Sequence, residues 1–387
     1  MDFYKRALEL KEETVRHRRY FHENAEIGLN VPLAKKYIFE KLSEYGVCAS
    51  ECGYGISARI GKGKPCILLR ADMDALPLQE ESGESFSCKS GYAHACGHDM
   101  HAAMLLTSAK MLKENERELR GTVKLMFQPA EELLAGAKDM IAHGVLESPR
   151  PDAALALHTA AGKTTPDTFM YNSGGVMMYS ANGIRISIKG KGGHAAYPKL
   201  SKNPIETAFK IYNEIISVVS TEESAILTVG KIQSGRSANV IPDTAVMEGT
   251  LRARSQNVCE RLYEKIANIA NIIAKKDNAS AEVTSLFDAP ALVCDKALTD
   301  ELVKYVGKIP SLFTKTIPET SACASEDFAF IAQKIPSAFF YIGAGFGDER
   351  GDHTAHHPKV VFNEDTLPKG CAVLSHCAAR FLESRAY

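Results

Sequence analysis

GTVKLMFQPAEE, residues 121–132, decides the fold. Gly121 opens an apolar-rich run over 122–127 that Pro129 closes, too short for a helix and without helical spacing, so it predicts a buried strand. The strand stops just before two adjacent carboxylates, Glu131 and Glu132. Two further runs repeat the pattern: 66–70 (CILLR) and 153–157 (AALAL), the latter ending on His158. Helical spacing fills the gaps. Met104, Leu105, Ala109 and Leu112 predict a helix over 99–115, and Leu8, Val15, Ala34, Ile38 and Leu42 predict helices over 2–22 and 32–45. Continuous apolar strands alternating with helices imply an α/β sheet covered on both faces, with chemistry at the strand ends.

The pattern changes near Asn182. Residues 184–190 (IRISIKG) and 245–254 alternate apolar and polar positions, as half-buried antiparallel strands do. An amphipathic helix starts at Asn203-Pro204, a cap followed by proline at the first helical position. A second carries Val258, Leu262, Ile266, Ile269 and Ile273. The stretch 182–289 therefore reads as an inserted α+β domain, two helices on a small antiparallel sheet. Around it, 1–181 and 290–387 form the α/β domain, which resumes with a helix over 297–307, a strand over 338–342 and a helix over 366–384.

Composition narrows the function. At 387 residues the chain can bury a full core and build two domains. A net charge of −1 offers no basic field for nucleic acid or an anionic membrane. No apolar run reaches the ~20 residues of a spanning helix, and the charged N-terminus lacks a signal peptide's apolar core. These features predict a cytoplasmic protein. Its ten cysteines form no CxxC pair, so they read mostly as small buried apolar residues.

Cys96 is the exception. HACGHDMH, residues 94–101, packs Cys96, His98, Asp99 and His101 into six positions. Thiolate, imidazole and carboxylate are ligand types that zinc selects. Five candidates fall at strand or loop ends: Cys96, His98, Glu132, His158 and His356. Five exceed what one catalytic ion with an open position needs, so a pair of ions fits better, bridged by the thiolate. Two ionised carboxylates in one pocket repel each other unless a cation intervenes. If Glu132 binds a metal, Glu131 is left to move a proton. Asp72 and Asp74 come directly after the 66–70 strand, where they could orient ligand imidazoles or simply cap a turn. Taken singly, a histidine is more often structural, and His17, His143 and His376 keep that reading. A non-catalytic metal-binding protein and a thiol redox enzyme using Cys96 are the competing classes.

In the inserted domain, GKGGHAAYP (190–198) presents His194, ANVIPD (238–243) presents Asn239, and GTLRA (249–253) presents Arg252. Together with RRYFHENAEIG (18–28), RADMDALP (70–77), FQPAEE (127–132), SEDFA (325–329) and AHHP (355–358), these motifs resemble the M20 family of metallopeptidases and amidohydrolases. The likeness is greatest to the branch of aminoacylase-like, hippurate and auxin-conjugate hydrolases, and it runs over nearly the whole chain. The resemblance implies a mixed α/β zinc-peptidase-like catalytic domain with an inserted lid domain that dimerises. It implies two divalent ions, Zn²⁺ or Mn²⁺ with Co²⁺ or Ni²⁺ as substitutes, held by Cys96, His98, Glu132, His158 and His356. Glu131 then falls on the general acid/base and Asp74 on an aspartate that steadies a ligand. His194 falls on a histidine that reaches the partner subunit's site to stabilise an oxyanion, and Asn239 and Arg252 fall near the substrate carboxylate. The implied reaction is hydrolysis of N-acyl amino acids or related small amides by a homodimer or tetramer. A dipeptidase, a carboxypeptidase or a deacetylase of N-acetyl-diamino acids is the alternative.

Overall fold

The computed structural model describes residues 2–173, 175–317 and 324–386. By internal contacts the chain divides into two compact units. The first takes the described residues of Met1–Met177, Val293–Ser321 and Asp327–Tyr387, and the second those of Met178–Leu292 and Ala322–Glu326.

The first unit is built on an eight-stranded mixed sheet. Its order is Ala49–Cys52, Gly55–Gly61, Thr122–Gln128, Cys66–Asp72, Ala153–Ala160, Ser337–Gly343, Thr168–Tyr171 and Phe313–Thr316. The four central strands run parallel, and antiparallel strands flank them. Every residue of Cys66–Asp72 and Thr122–Gln128 is buried, as a sheet covered on both faces requires. The helix His98–Glu114 is buried at every position from His98 to Ala109. It packs against the central strands on one side and the helices Lys11–Glu23 and Leu367–Ser384 on another. A Cβ on Gly370 would meet Met104 Sδ at 1.9 Å, so glycine is what lets Leu367–Ser384 approach so closely.

Two differences from the sequence-based expectation have physical causes. The helix expected over 2–22 breaks at Leu10 into Phe3–Glu9 and Lys11–Glu23. The first piece packs mainly on Leu367–Ser384 and the second mainly on His98–Glu114. The strand expected to end on His158 runs on to Ala160, because Ser337–Gly343 pairs with it through Ala160. The short outer strands Ala49–Cys52, Thr168–Tyr171 and Phe313–Thr316 carry too few buried positions to stand out in the sequence.

The second unit is a four-stranded antiparallel sheet in the order Ala225–Ser234, Thr244–Ala253, Ser180–Lys189, Ser280–Ala289. The helices Pro204–Ser220 and Gln256–Lys276 cover one face. Ile184, Ile186 and Ile188 from the sheet meet Ile211, Ile215, Leu262 and Ile266 from the helices. Asn203 accepts a hydrogen bond from Ile205 N–H and Ser255 from Val258 N–H, so both helices begin on side-chain caps. No described helix is long and apolar enough to cross a membrane.

Candidate metal centre

Three neighbouring parallel strands put their carboxyl ends together, and the titratable groups collect there. Cys66–Asp72 leads into Asp74, Thr122–Gln128 leads into Glu131 and Glu132, and Ala153–Ala160 carries His158 near its end. Residues 94–97 lie at the same end and turn into the helix His98–Glu114. Gly97 makes that turn with φ of +83°, and a Cβ there would meet Thr159 Oγ1 at 2.3 Å. His356 comes from a late loop, pinned by its N–H to the Ala95 carbonyl at 2.8 Å.

The five ligand candidates form one cluster within the first unit. Donor atoms of Cys96, His98 and His158 lie within 4.8 Å of one another, as do those of Cys96, Glu132 and His356, and those of His98, Glu131 and Glu132. Cys96 Sγ is 3.6 Å from His158 Nε2. Glu132 Oε1 is 3.3 Å from His356 Nε2, and His98 Nε2 is 3.9 Å from both Glu131 and Glu132. Cys96 belongs to two of the groups, which suits a thiolate shared between two cations.

Hydrogen bonds aim the imidazoles. A carbonyl only accepts, so the 2.9 Å contact from His98 Nδ1 to the Asp74 carbonyl puts a proton on Nδ1. His158 Nδ1 likewise donates to the Thr159 carbonyl at 2.8 Å. In both rings Nε2 is the atom turned to the cluster. The buried Nε2 of His98 has no hydrogen-bond partner, a costly arrangement in a protein interior that a cation would relieve.

Charge favours the same occupant. Burial pushes the Cys66 thiol up to about 11 and those of Cys294 and Cys371 up to about 12. Burial also opposes a thiolate at Cys96, but His158 and His98 outweigh it and hold this thiol at about 6. Burial opposes charge on His98, yet Asp72 and Cys96 hold its pKa well above the usual value. His356 is held at about 10 by hydrogen bonds to Cys96 and Glu132. Imidazoles drawn this strongly to a proton by anionic neighbours are drawn equally to a cation. The donor set therefore fits divalent metal ions.

The Glu pair is held from behind by Asp74. Its Oδ1 accepts the Glu131 N–H at 3.0 Å and its Oδ2 the Glu132 N–H at 3.2 Å. Ala130 and Leu134, on either side of the pair, have φ of +53° and +54°, and His356 has +67°. These are left-handed conformations that non-glycine residues adopt at a cost, and such strain concentrates at functional sites.

Sequence reasoning gave His101 no role, although it lies one helical turn beyond His98. Its Nδ1 meets Asp72 Oδ1 at 2.5 Å, and Asp72 Oδ2 in turn accepts from Arg70 at 2.6 Å. The R-A-D spacing at 70–72 was the available signal: side chains two apart on a strand share a face. His17, expected to be structural, is buried between the hydroxyls of Tyr37 and Tyr45 and held at about 4 by burial. His194, Asn239 and Arg252 belong to the second unit. His194 is exposed and pairs across a two-residue ladder with Val240, and the Asn239 carbonyl accepts the Ala195 N–H, so these two are neighbours. Arg252 lies on Thr244–Ala253 and donates to Ser325 Oγ at 3.2 Å.

The RRYFHENAEIG motif supplies a buried buttress for the ligand helix. Asp99, in its first turn, receives Arg18 Nε at 3.0 Å and His22 Nδ1 at 2.8 Å, and His22 Nε2 meets Glu80 at 3.1 Å. Burial opposes charge on His22, but Asp99 and Glu80 outweigh it and raise its pKa from 6.5 to about 9. Glu80, despite burial, is held at about 2 by His22. The raised His22 pKa contributes stability that is complete below 6.5 and is lost as pH rises through about 9. The depressed Glu80 pKa contributes stability present above 4.5 and lost as pH falls towards about 2. His22→Gln should therefore cost up to about 3 kcal/mol near pH 6 and much less near pH 10. Thermal unfolding of both proteins in EDTA at the two pH values measures this, and a pH-independent difference would contradict it.

Comparison with known proteins gives the same direction. The sequence pattern of peptidase family M20/M25/M40 matches residues 68–380. An N-acetyl-L-cysteine deacetylase of Bacillus subtilis is 35% identical, over 97% of this chain and 89% of the relative. An Arabidopsis thaliana IAA-amino acid hydrolase (ILR1-like 5) is 35% identical, over 94% and 86%. The crystal structure of a dinuclear metal binding peptidase from the M20 family, from Bacillus subtilis, superposes with a TM-score of 0.82 at 29% identity, covering 97% of this chain and 99% of that one.

Proposed function

This chain belongs to peptidase family M20/M25/M40 and is a metal-dependent amide hydrolase, and from that premise we propose that it cleaves N-acyl amino acids into a carboxylic acid and an amino acid. The observation that carries this reading is the division of labour between adjacent glutamates. Asp74 holds the backbone N–H of both and both carboxylates lie 3.9 Å from His98 Nε2, but of the two it is Glu132 that also groups with Cys96 and His356, which leaves Glu131 for the proton.

In this reading Cys96, His98, Glu132, His158 and His356 would hold two divalent ions, Cys96 being the residue that belongs to two of the donor groups. Thiolate and imidazole favour Zn²⁺, and Mn²⁺, Co²⁺ or Ni²⁺ can substitute. When bound, the ions would supply Lewis acidity to an attacking water and to the scissile carbonyl. Glu131 takes the proton of that water and returns it to the leaving amine, the two halves of general base and general acid catalysis. Asp74 keeps Glu131 in reach by gripping two successive amides, so the pair moves as one rigid turn.

His194 is assigned to the oxyanion. Its Nδ1 accepts the Ala196 N–H at 3.1 Å, which leaves the Nε2 proton as an outward donor. An exposed donor on the second unit suits the site of a second copy, so the working form is a homodimer or a tetramer of such dimers. Asn239 and Arg252 are assigned to the carboxylate of the amino acid product. The enzyme is taken to work in the cytoplasm on small molecules.

The test is a panel of N-acyl amino acids and dipeptides with purified protein carrying Zn²⁺, Mn²⁺, Co²⁺ or Ni²⁺. N-acyl amino acids should turn over with kcat/KM at least about tenfold above dipeptides, a difference of about 1.4 kcal/mol in barrier, and EDTA should abolish both. The opposite ranking would make the protein a dipeptidase or carboxypeptidase. EDTA-resistant turnover, or metal binding without turnover on any amide, would sink the proposal.

A further inference from the structure

Behind the cluster lies a buried polar chain for which the proposed reaction has no use. Arg70, 3% exposed, donates Nε to Gln128 Oε1 at 2.9 Å, one terminal nitrogen to Asp72 Oδ2 at 2.6 Å and the other to Asp327 Oδ1 at 3.1 Å. Asp72, 0% exposed, offers its other oxygen to His101 Nδ1 at 2.5 Å. On the far side of the ring, the backbone N–H of Thr159 points at His101 Nε2 from 2.8 Å. A backbone N–H only donates, so Nε2 is the acceptor and the ring proton is on Nδ1, shared with Asp72. His101 is thus neutral, in one tautomer, and bonded on both sides.

The carbonyl of the same Thr159 receives His158 Nδ1–H at 2.8 Å. One residue therefore links His101 to a proposed metal ligand, its N–H held by His101 and its carbonyl holding His158. Buried ion pairs rarely repay their own desolvation, and well-packed apolar residues in their place often stabilise a protein. An arginine, an aspartate and a histidine buried in a row need a reason other than stability, and Thr159 provides it.

Resting on the two-ion reading above, we propose that His101 is a positioning residue: held by Asp72 and Arg70, it fixes residue 159 and so turns His158 Nε2 towards the metal. It touches neither substrate nor ion.

Two substitutions separate the two sides of the ring. An asparagine at 101 is long enough to replace Nδ1 and keep the bond to Asp72, but it stops short of Thr159. A glutamine can reach the Thr159 N–H with its amide oxygen. Loss of an outer contact to a ligand typically weakens metal binding about 10–100-fold. His101→Asn should raise the dissociation constant of one of two Co²⁺ equivalents by that factor and alter the visible cobalt bands, and His101→Gln should recover most of both. Titration of the full-length protein with Co²⁺, followed by absorption and by competition with a chelator, reads the two quantities without any substrate. Unfolding in EDTA should be alike for the two variants. Equal cobalt affinity and identical bands in wild type and His101→Asn would overturn the proposal, as would equal impairment of Asn and Gln. If the wild type itself bound fewer than two Co²⁺, the two-ion reading would be at fault instead.

Discussion

Glu131→Gln is expected to lower kcat by about 10²–10⁴-fold, the range a positioned acid/base contributes, with both metal equivalents still bound. Glutamine has the shape of glutamate and leaves untouched the backbone N–H that Asp74 holds. What it lacks is the capacity to take a proton from water, so the loss should fall on kcat far more than on KM. Its position makes the test informative, because Glu131 Oε2 is only 3.9 Å from His98 Nε2. A metal ligand there would show itself by metal loss. Metal content after desalting, measured beside kcat, decides between the roles. Turnover near the wild-type rate would end the assignment, and loss of one equivalent would make Glu131 a ligand.

Cys96→Ala should have the largest effect on metal binding. The thiol is held at about 6, so it is mostly thiolate at neutral pH and needs no help to bind a cation. Cys96 belongs to two donor groups, so under the proposed two-ion reading its removal would take a ligand from both ions. Loss of an outer contact already costs about 10–100-fold in affinity, so loss of the shared ligand should exceed that for both equivalents. Cys96→Ser should do little better, since a serine hydroxyl stays protonated. Cys96→Asp should restore part of the binding, because a carboxylate can also bridge. Two ions bound by Cys96→Ala with wild-type affinity would refute the shared-thiolate assignment.

Much of this was legible in the chain because strands and ligands obey local rules. The buried strands 66–70, 122–127 and 153–157 were short apolar runs between helical spacings, and parallel strands deliver the residues at their carboxyl ends to one edge of the sheet. The cluster of Cys96, His98, Glu132, His158 and His356 could be anticipated for that reason. Partners across space were not legible. Nothing in the spacing says that Asp74 grips the amides of Glu131 and Glu132, 57 and 58 positions along the chain. Nor does it say that His101, which looks like a ligand, spends both nitrogens on Asp72 and Thr159. The break at Leu10 was hidden because the apolar periodicity of 2–22 does not reveal that its two halves pack mainly on different helices.

The left-handed backbone at Ala130, Leu134 and His356 has a consequence for anyone who engineers the protein for heat. Glycine at any of the three would relieve roughly 1–2 kcal/mol of steric cost, offset in part by the freedom it adds to the unfolded chain. A screen that scored survival after heating would therefore collect glycines at these positions. At 130 and 134 glycine would loosen the turn that aims Glu131 and Glu132, and at 356 it would remove the imidazole of a proposed ligand outright. Heat tolerance and turnover should pull against each other at these three positions, while Asn278 and Ser311, which share the conformation but lie outside the cluster, should accept glycine without loss of activity.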